Sequence, residues 1–279
     1  MKKILYSILL ILPFIFGSCD TIPEENQLQA LEGETSQTTP ITESTSNQRI
    51  LLEDYTGWAC PNCPAAAVVA EDLSTTHGNK FVVMAIHTGV FAKPSATNHN
   101  LDFRTKAGDD WKTEFAITSY PSGVINRVKY GSAYSVSKDD WAAKVSEQYA
   151  NMQHLLDINL GAKADTITKK ILISVENKFL SNVDFPTLIN IIVVESGIIG
   201  VQQDGANKIM DYEFKHILRD NPYINFPLTQ ASTASGETIK KNYLLNIDPD
   251  IKDITKCQVI VFVTNANTKE IVNVNKIDL

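Results

Sequence analysis

Two cysteines of this 279-residue chain stand three positions apart, at Cys60 and Cys63, and their neighbours suit sulfur chemistry. They follow a short apolar run, Ile50 to Tyr55, and precede an Ala- and Val-rich run to about Thr76. That order reads as strand, turn, helix. A cysteine at a helix N-terminus meets unpaired N–H groups and the positive end of the helix dipole, which stabilise its thiolate and lower its pKa. Cys60 is therefore expected as the exposed nucleophile. Pro61 is expected in the first helical turn, where its missing N–H would have no partner anyway. Cys63, one turn on and more buried, is expected as the resolving thiol that closes a disulfide and releases a partner. A structural or vestigial disulfide is the competing reading. A zinc site would need two more ligands, and Cys257 and five scattered histidines lack metal spacing, so neither a metal nor another cofactor is expected. Cys257 opens an apolar strand and reads as a buried, inert thiol.

The fourth cysteine belongs to a different chemistry. Lys2 and Lys3 precede an apolar run of 13 residues, Ile4 to Phe16, followed by Gly17, Ser18 and Cys19. This reads as a signal peptide over residues 1–18, too short for a bilayer crossing of about 20 residues. Small residues before a Cys resemble the lipobox of bacterial lipoproteins, which implies cleavage before Cys19 and acylation of its thiol. At about 0.8 kcal/mol per buried methylene, two or three acyl chains anchor a protein stably. An ordinary secretory signal is the alternative. Residues 19–48 are rich in Thr, Ser and Gln, hold six acidic residues and no Lys or Arg, and read as a disordered tether. The formal net charge of −7 then divides unevenly, because the remainder carries 23 basic against 26 acidic residues. Such a surface excludes nucleic acid as an expected partner, since that would need a basic stripe.

The elements that must position the pair are legible from periodicity. Phe81 to His87 is a continuous apolar run, as in a strand buried on both faces. Ser137 and Asp140 read as a capping box opening a helix with Trp141, Val145 and Tyr149 at helical spacing. Strand, helix, strand in this order implies a βαβ unit. After about His154 the period becomes two, with Leu156, Ile158 and Leu160, then Ile171, Ile173 and Val175. Leu188 to Val194, Leu244 to Ile247, Val259 to Val263 and Ile271 to Ile277 add further strands, and the set favours a β-sandwich. Gly197 to Thr238 has no clear pattern, with Tyr212 to Leu218 as a candidate short helix.

Three further features surround the cysteines. Asp54 lies six residues before Cys60 at a strand end, Trp58 lies two before it, and Ile117 to Val124 carries Tyr120-Pro121 just ahead of a strand. With these the chain resembles the thioredoxin-like superfamily over about residues 49–153, with an insertion around residues 88–115. The resemblance implies that Asp54 is the buried carboxylate serving Cys63 and that Pro121 is a cis-proline opposite the cysteines. It also implies that Trp58, Pro61 and Tyr120 meet the substrate. Duller readings are a solvated Asp54 and a Trp58 that only packs. More narrowly, Tyr55-Thr56-Gly57-Trp58-x-Cys60-x-Asn62-Cys63-Pro64 resembles the outer membrane protein twenty-eight family. That implies an outer-membrane lipoprotein with an α/β thioredoxin-like domain at 49–153 followed by an all-β sandwich domain at 154–279. The expected function is thiol-disulfide exchange with protein thiols or disulfides of the cell envelope, on a chain held to the membrane by lipid on Cys19. The alternative is a surface binding or adhesion lipoprotein that uses both domains as scaffold around a structural disulfide.

Overall fold

The structure is a computed structural model that describes residues 33–42, 47–97, 99–219 and 223–279. The expected signal peptide, Cys19 and most of the expected tether lie outside the described residues. No helix among the described residues is long and apolar enough to cross a membrane.

A short strand, β1 (Gly33–Glu34), opens the described chain. Next, β2 (Ile50–Thr56) runs through α1 (Cys63–His77) into β3 (Phe81–His87), and the two strands pair in parallel from Ile50 beside Phe81 to Thr56 beside His87. Both strands are buried along their whole length, which explains their unbroken apolar sequence. Then come α2 (Lys106–Glu114), β4 (Ser122–Ile125), β5 (Ser135–Val136) and α3 (Trp141–Asn151). The Thr105 hydroxyl caps α2 by accepting the Gly108 N–H at 3.0 Å. The expected capping box at Ser137 does not form; residues Lys138–Asp140 make a tight 3-10 turn instead, and α3 starts one turn later.

Ten strands follow: β6 (Leu156–Asp165), β7 (Lys170–Phe179), β8 (Thr187–Glu195), β9 (Ile198–Asp204), β10 (Asn207–Phe214), β11 (Ile217–Leu218), β12 (Tyr223–Thr229), β13 (Thr238–Asn246), β14 (Cys257–Asn265) and β15 (Ile271–Asp278). The candidate helix at 212–218 is instead the end of β10 and the short β11, separated by Lys215 and His216, with Phe214, Ile217 and Leu218 buried. β1, β13, β7 and β6 form one sheet, in that order. A nine-stranded sheet runs β15-β14-β8-β11-β3-β2-β4-β5, with β12 also on β8.

The larger sheet draws its strands from both sides of the boundary expected at 153/154. The joint is β11, whose Ile217 lies antiparallel to Glu195 of β8 and parallel to Ala85 of β3. Sequence alternation explains why the halves fuse. On β8 and β14, Ile189, Ile191, Val193, Val259, Val261 and Val263 face the smaller sheet and build one core with Ile173, Val175 and Tyr243. Their neighbours Ile192, Val194, Ile260 and Phe262 face the other way, onto Leu51, Met84, Trp111 and Phe115. A third core, under α1 and α3, holds Ile50, Leu52, Ala66, Leu73, Phe81 and Trp141. Burying each such side chain contributes about 1.5–3 kcal/mol, so strands apolar on both faces stabilise two layers at once.

Inside the second core sits an ion pair. Glu53 and Arg127 are 0% and 2% exposed, and the guanidinium donates from Nε at 3.0 Å and Nη2 at 2.8 Å to the two carboxylate oxygens. Its Cζ lies 4.7, 5.0 and 4.8 Å from the ring centres of Trp111, Phe115 and Phe262. Arg127 holds φ 55°, which a non-glycine residue rarely adopts, and these contacts over-determine it.

Part of the expected tether is structured too. Residues 33–42 cross the smaller sheet, with the Thr35 N–H on the Asn242 carbonyl (2.9 Å), the Thr39 N–H on Ser174 Oγ (2.9 Å) and the Thr42 N–H on the Leu160 carbonyl (3.0 Å). Gly161 admits this segment, because a Cβ there would stand 2.1 Å from the Pro40 carbonyl oxygen. The attachment is made by backbone groups, so the segment needs no apolar periodicity.

Candidate functional site

Cys60 and Cys63 form a disulfide in the turn between β2 and α1. The helix begins at Cys63, with Asn62 as its N-cap and Pro64 in its first turn. Pro61 thus precedes the helix and does not belong to its first turn. The loop is tied by the Cys60 N–H on the Gly57 carbonyl (3.0 Å) and the Cys63 N–H on the Cys60 carbonyl (3.3 Å). Gly57 lets the Val90–Ala92 turn approach, since a Cβ would meet the Phe91 backbone at 2.6 Å. Trp58 is buried, donates from Nε1 to the Lys93 carbonyl at 2.7 Å, and stacks on His99 with ring centres 5.2 Å apart.

The Tyr120-Pro121 bond is cis. β4 pairs Ser122 with Tyr55 and Gly123 with Asp54, which carries Pro121 to the level of Thr56, at the end of the sheet where the cysteine loop departs. Tyr120 packs edge-on against Phe91, and its hydroxyl sits where a Cβ on Gly89 would be. The residues singled out by the sequence therefore gather at one end of β2, β3 and β4.

Exposure differs from expectation. Cys60, anticipated as the accessible sulfur, is 1% exposed, and Cys63 is 3% exposed. The cover is the hairpin of β9 and β10. The Gln203 N–H donates to the Trp58 carbonyl at 2.7 Å and the Gly205 N–H to the Pro61 carbonyl at 2.9 Å. Gln202, itself buried, reaches under the hairpin and donates from Nε2 to the Cys60 carbonyl at 3.2 Å. His99 Nδ1 donates to the Val201 carbonyl at 3.1 Å and fixes the same strand. Periodicity missed these residues, yet Asp204-Gly205 between two strands is a hairpin-turn signal, and Gly205 does adopt φ 54°.

Asp54 is buried, and its Oδ1 has no hydrogen-bond partner among the described residues. Burial pushes its carboxyl up to about 7. Asp54 and Cys63 line one cavity of about 620 Å³ between α1 and β10. A carboxyl at that place and pKa can take or return a proton near neutral pH. Cys257 is free and buried, its thiol pushed up to about 12 by burial and then by Glu195. No group of three metal-binding side chains occurs among the described residues.

Comparison with known proteins supports the fold and the family. HBP35 of Porphyromonas gingivalis is similar over 85% of this chain and 77% of its own, at 16% identity and a TM-score of 0.58. A structural-genomics protein of Agrobacterium tumefaciens is similar over 84% of this chain and 96% of its own, at 13% identity and a TM-score of 0.51. A domain of the outer membrane lipoprotein Omp28 of Porphyromonas gingivalis matches 44% of this chain and 87% of its own, at 17% identity and a TM-score of 0.29. No curated protein matches significantly. A family model described as outer membrane protein Omp28 matches residues 108–279, a stretch that begins after the cysteine pair. With more than half its length matched, the chain belongs to the outer membrane protein Omp28 family.

Proposed function

We propose that this Omp28-family envelope protein is a lipoprotein anchored through Cys19, whose residues 49–153 are a thioredoxin-like domain performing thiol-disulfide exchange. The remainder, 154–279, is read as a β-sandwich that covers and supports the site. The observation that carries the proposal is Asp54. A structural disulfide has no use for a buried carboxyl with an unpartnered oxygen in the cavity that Cys63 also lines, and such a group costs stability. Parallel β2 and β3 with antiparallel β4, and the cis bond before β4, support the same reading.

The step conserves atoms and electrons. In the reduced chain the Cys60 thiolate attacks a protein disulfide, forming a mixed disulfide and releasing one partner thiolate. Asp54 takes the Cys63 proton; the Cys63 thiolate attacks Cys60 Sγ, and the second partner thiolate leaves. The partner gains two electrons and the pair loses them, closing the disulfide. Run backwards, the same steps oxidise a partner dithiol. Either direction requires an attacking sulfur to reach Cys60, so the hairpin must lift. Trp58, Pro61 and Tyr120 then face the partner.

The scaffold reading is favoured by the cover over both sulfurs, and one assay separates the two. Reduced wild-type chain is expected to reduce insulin or a synthetic disulfide, and Cys60→Ser is expected to be inactive. Equal rates in the two would overturn catalysis. Cys63→Ser is expected to trap envelope proteins as mixed disulfides on Cys60.

A further inference from the structure

The cavity between α1 and β10 holds more than the carboxyl used above. Its walls are apolar, formed by Ala67, Ala70, Val83, Ala85, Ile209 and Phe214. At about 620 Å³ it falls within the size range of small-molecule sites. Its lining includes Asp54, His87 and His216, each of which carries a side-chain atom closed to solvent and without a partner among the described residues: Asp54 Oδ1, His87 Nδ1 and His216 Nδ1. Asp54 and His87 are each 4% exposed. Because those atoms are closed off, a ligand would meet chiefly the apolar wall.

We infer that this cavity binds a small, mainly apolar molecule without negative charge, seated between α1 and β10. Charge argues against an anion. The two histidines stay uncharged near neutral pH, because burial lowers them to about 3 and about 4. Among the lining residues, Glu71, Asp204 and Glu213 outnumber Lys215, which discourages anions. The site uses no sulfur chemistry, so it stands or falls separately from exchange.

The test uses the full chain lacking its signal peptide and two probes on one ring scaffold. N-phenyl-1-naphthylamine is neutral; 1-anilinonaphthalene-8-sulfonate adds a fixed negative charge. The neutral probe is expected to bind saturably at one site, and the sulfonate at least about tenfold more weakly, since an unpaired charge is poorly buried. Ala67→Phe on α1 and Ile209→Trp on β10 fill the cavity from opposite walls and are expected to weaken the neutral probe about tenfold or more, with melting temperatures checked for each. The inference is overturned if the neutral probe does not saturate, if the sulfonate binds equally well, or if folded filled variants bind like wild type. Saturable binding by a Cys60→Ser chain that reduces no disulfide would still support it.

Discussion

Glu53 and Asp54 are neighbours on β2 whose side chains leave the strand on opposite faces of the large sheet, and both are withdrawn from water. Glu53 receives two hydrogen bonds from Arg127 under three aromatic rings. Asp54 faces a cavity with one oxygen unpartnered. Equal burial thus serves opposite ends. One face spends its buried charge on a lock between the helix α2, the β2–β4 sheet and β14. The other keeps a carboxyl with an unpartnered oxygen in the lining that Cys63 shares.

The comparison can be broken first at the lock. Arg127→Ala leaves Glu53 buried without its cation and should destabilise the chain by about 3–5 kcal/mol, read from urea unfolding. The double variant Glu53→Leu with Arg127→Met should recover most of that loss, because the pair is offset by its own desolvation. A single variant within about 0.5 kcal/mol of wild type would remove the lock from the account.

Asp54→Asn should act with the opposite sign and depend on pH. The carboxyl is raised from 3.8 to about 7 by burial, so between those values the folded chain holds a proton that the unfolded chain releases. Stability from this group is present below about 4 and lost as the pH rises to about 7. His87 and His216, lowered from 6.5 to about 3 and about 4, contribute stability above 6.5 that is lost as the pH falls. The Asn variant removes only the first effect. It should match wild type near pH 4 and exceed it at pH 8 by up to roughly 4 kcal/mol. A difference that stays constant across the pH series would mean Asp54 is as satisfied as Glu53.

The smallest effect tests the cover. Gln202→Ala removes the side-chain bond to the Cys60 carbonyl, a contact of about 1 kcal/mol, and should speed reduction of the disulfide by a small thiol about fivefold. An unchanged rate would show that the hairpin does not limit access to the sulfurs.

The lock and the cover were the parts the sequence hid. The cysteines, Asp54, Pro121 and most strands announce themselves through local rules: spacing, the turn to a helix, alternation. Glu53 and Arg127 are charged residues at positions a burial pattern assigns to water, and they pair across 74 residues of chain. The hairpin hides for a related reason. Its buried face includes Gln202, while Ile199 and Met210 are exposed, so apolar periodicity points the wrong way. What Gln202 satisfies is backbone on another element, which no local pattern records. The exposure expected of Cys60 failed with it, because the cover comes from a strand some 140 residues later.

The segment that crosses the smaller sheet also sets a leash. On the proposed anchor at Cys19, fourteen residue steps separate it from Gly33, the first described residue, which pairs with β13. Fully extended, that is at most about 50 Å, half the reach of a tether free to residue 48. A partner would then have to present its sulfur within a patrol radius close to the bilayer, and lengthening the leash ahead of Gly33 should widen the set of proteins captured.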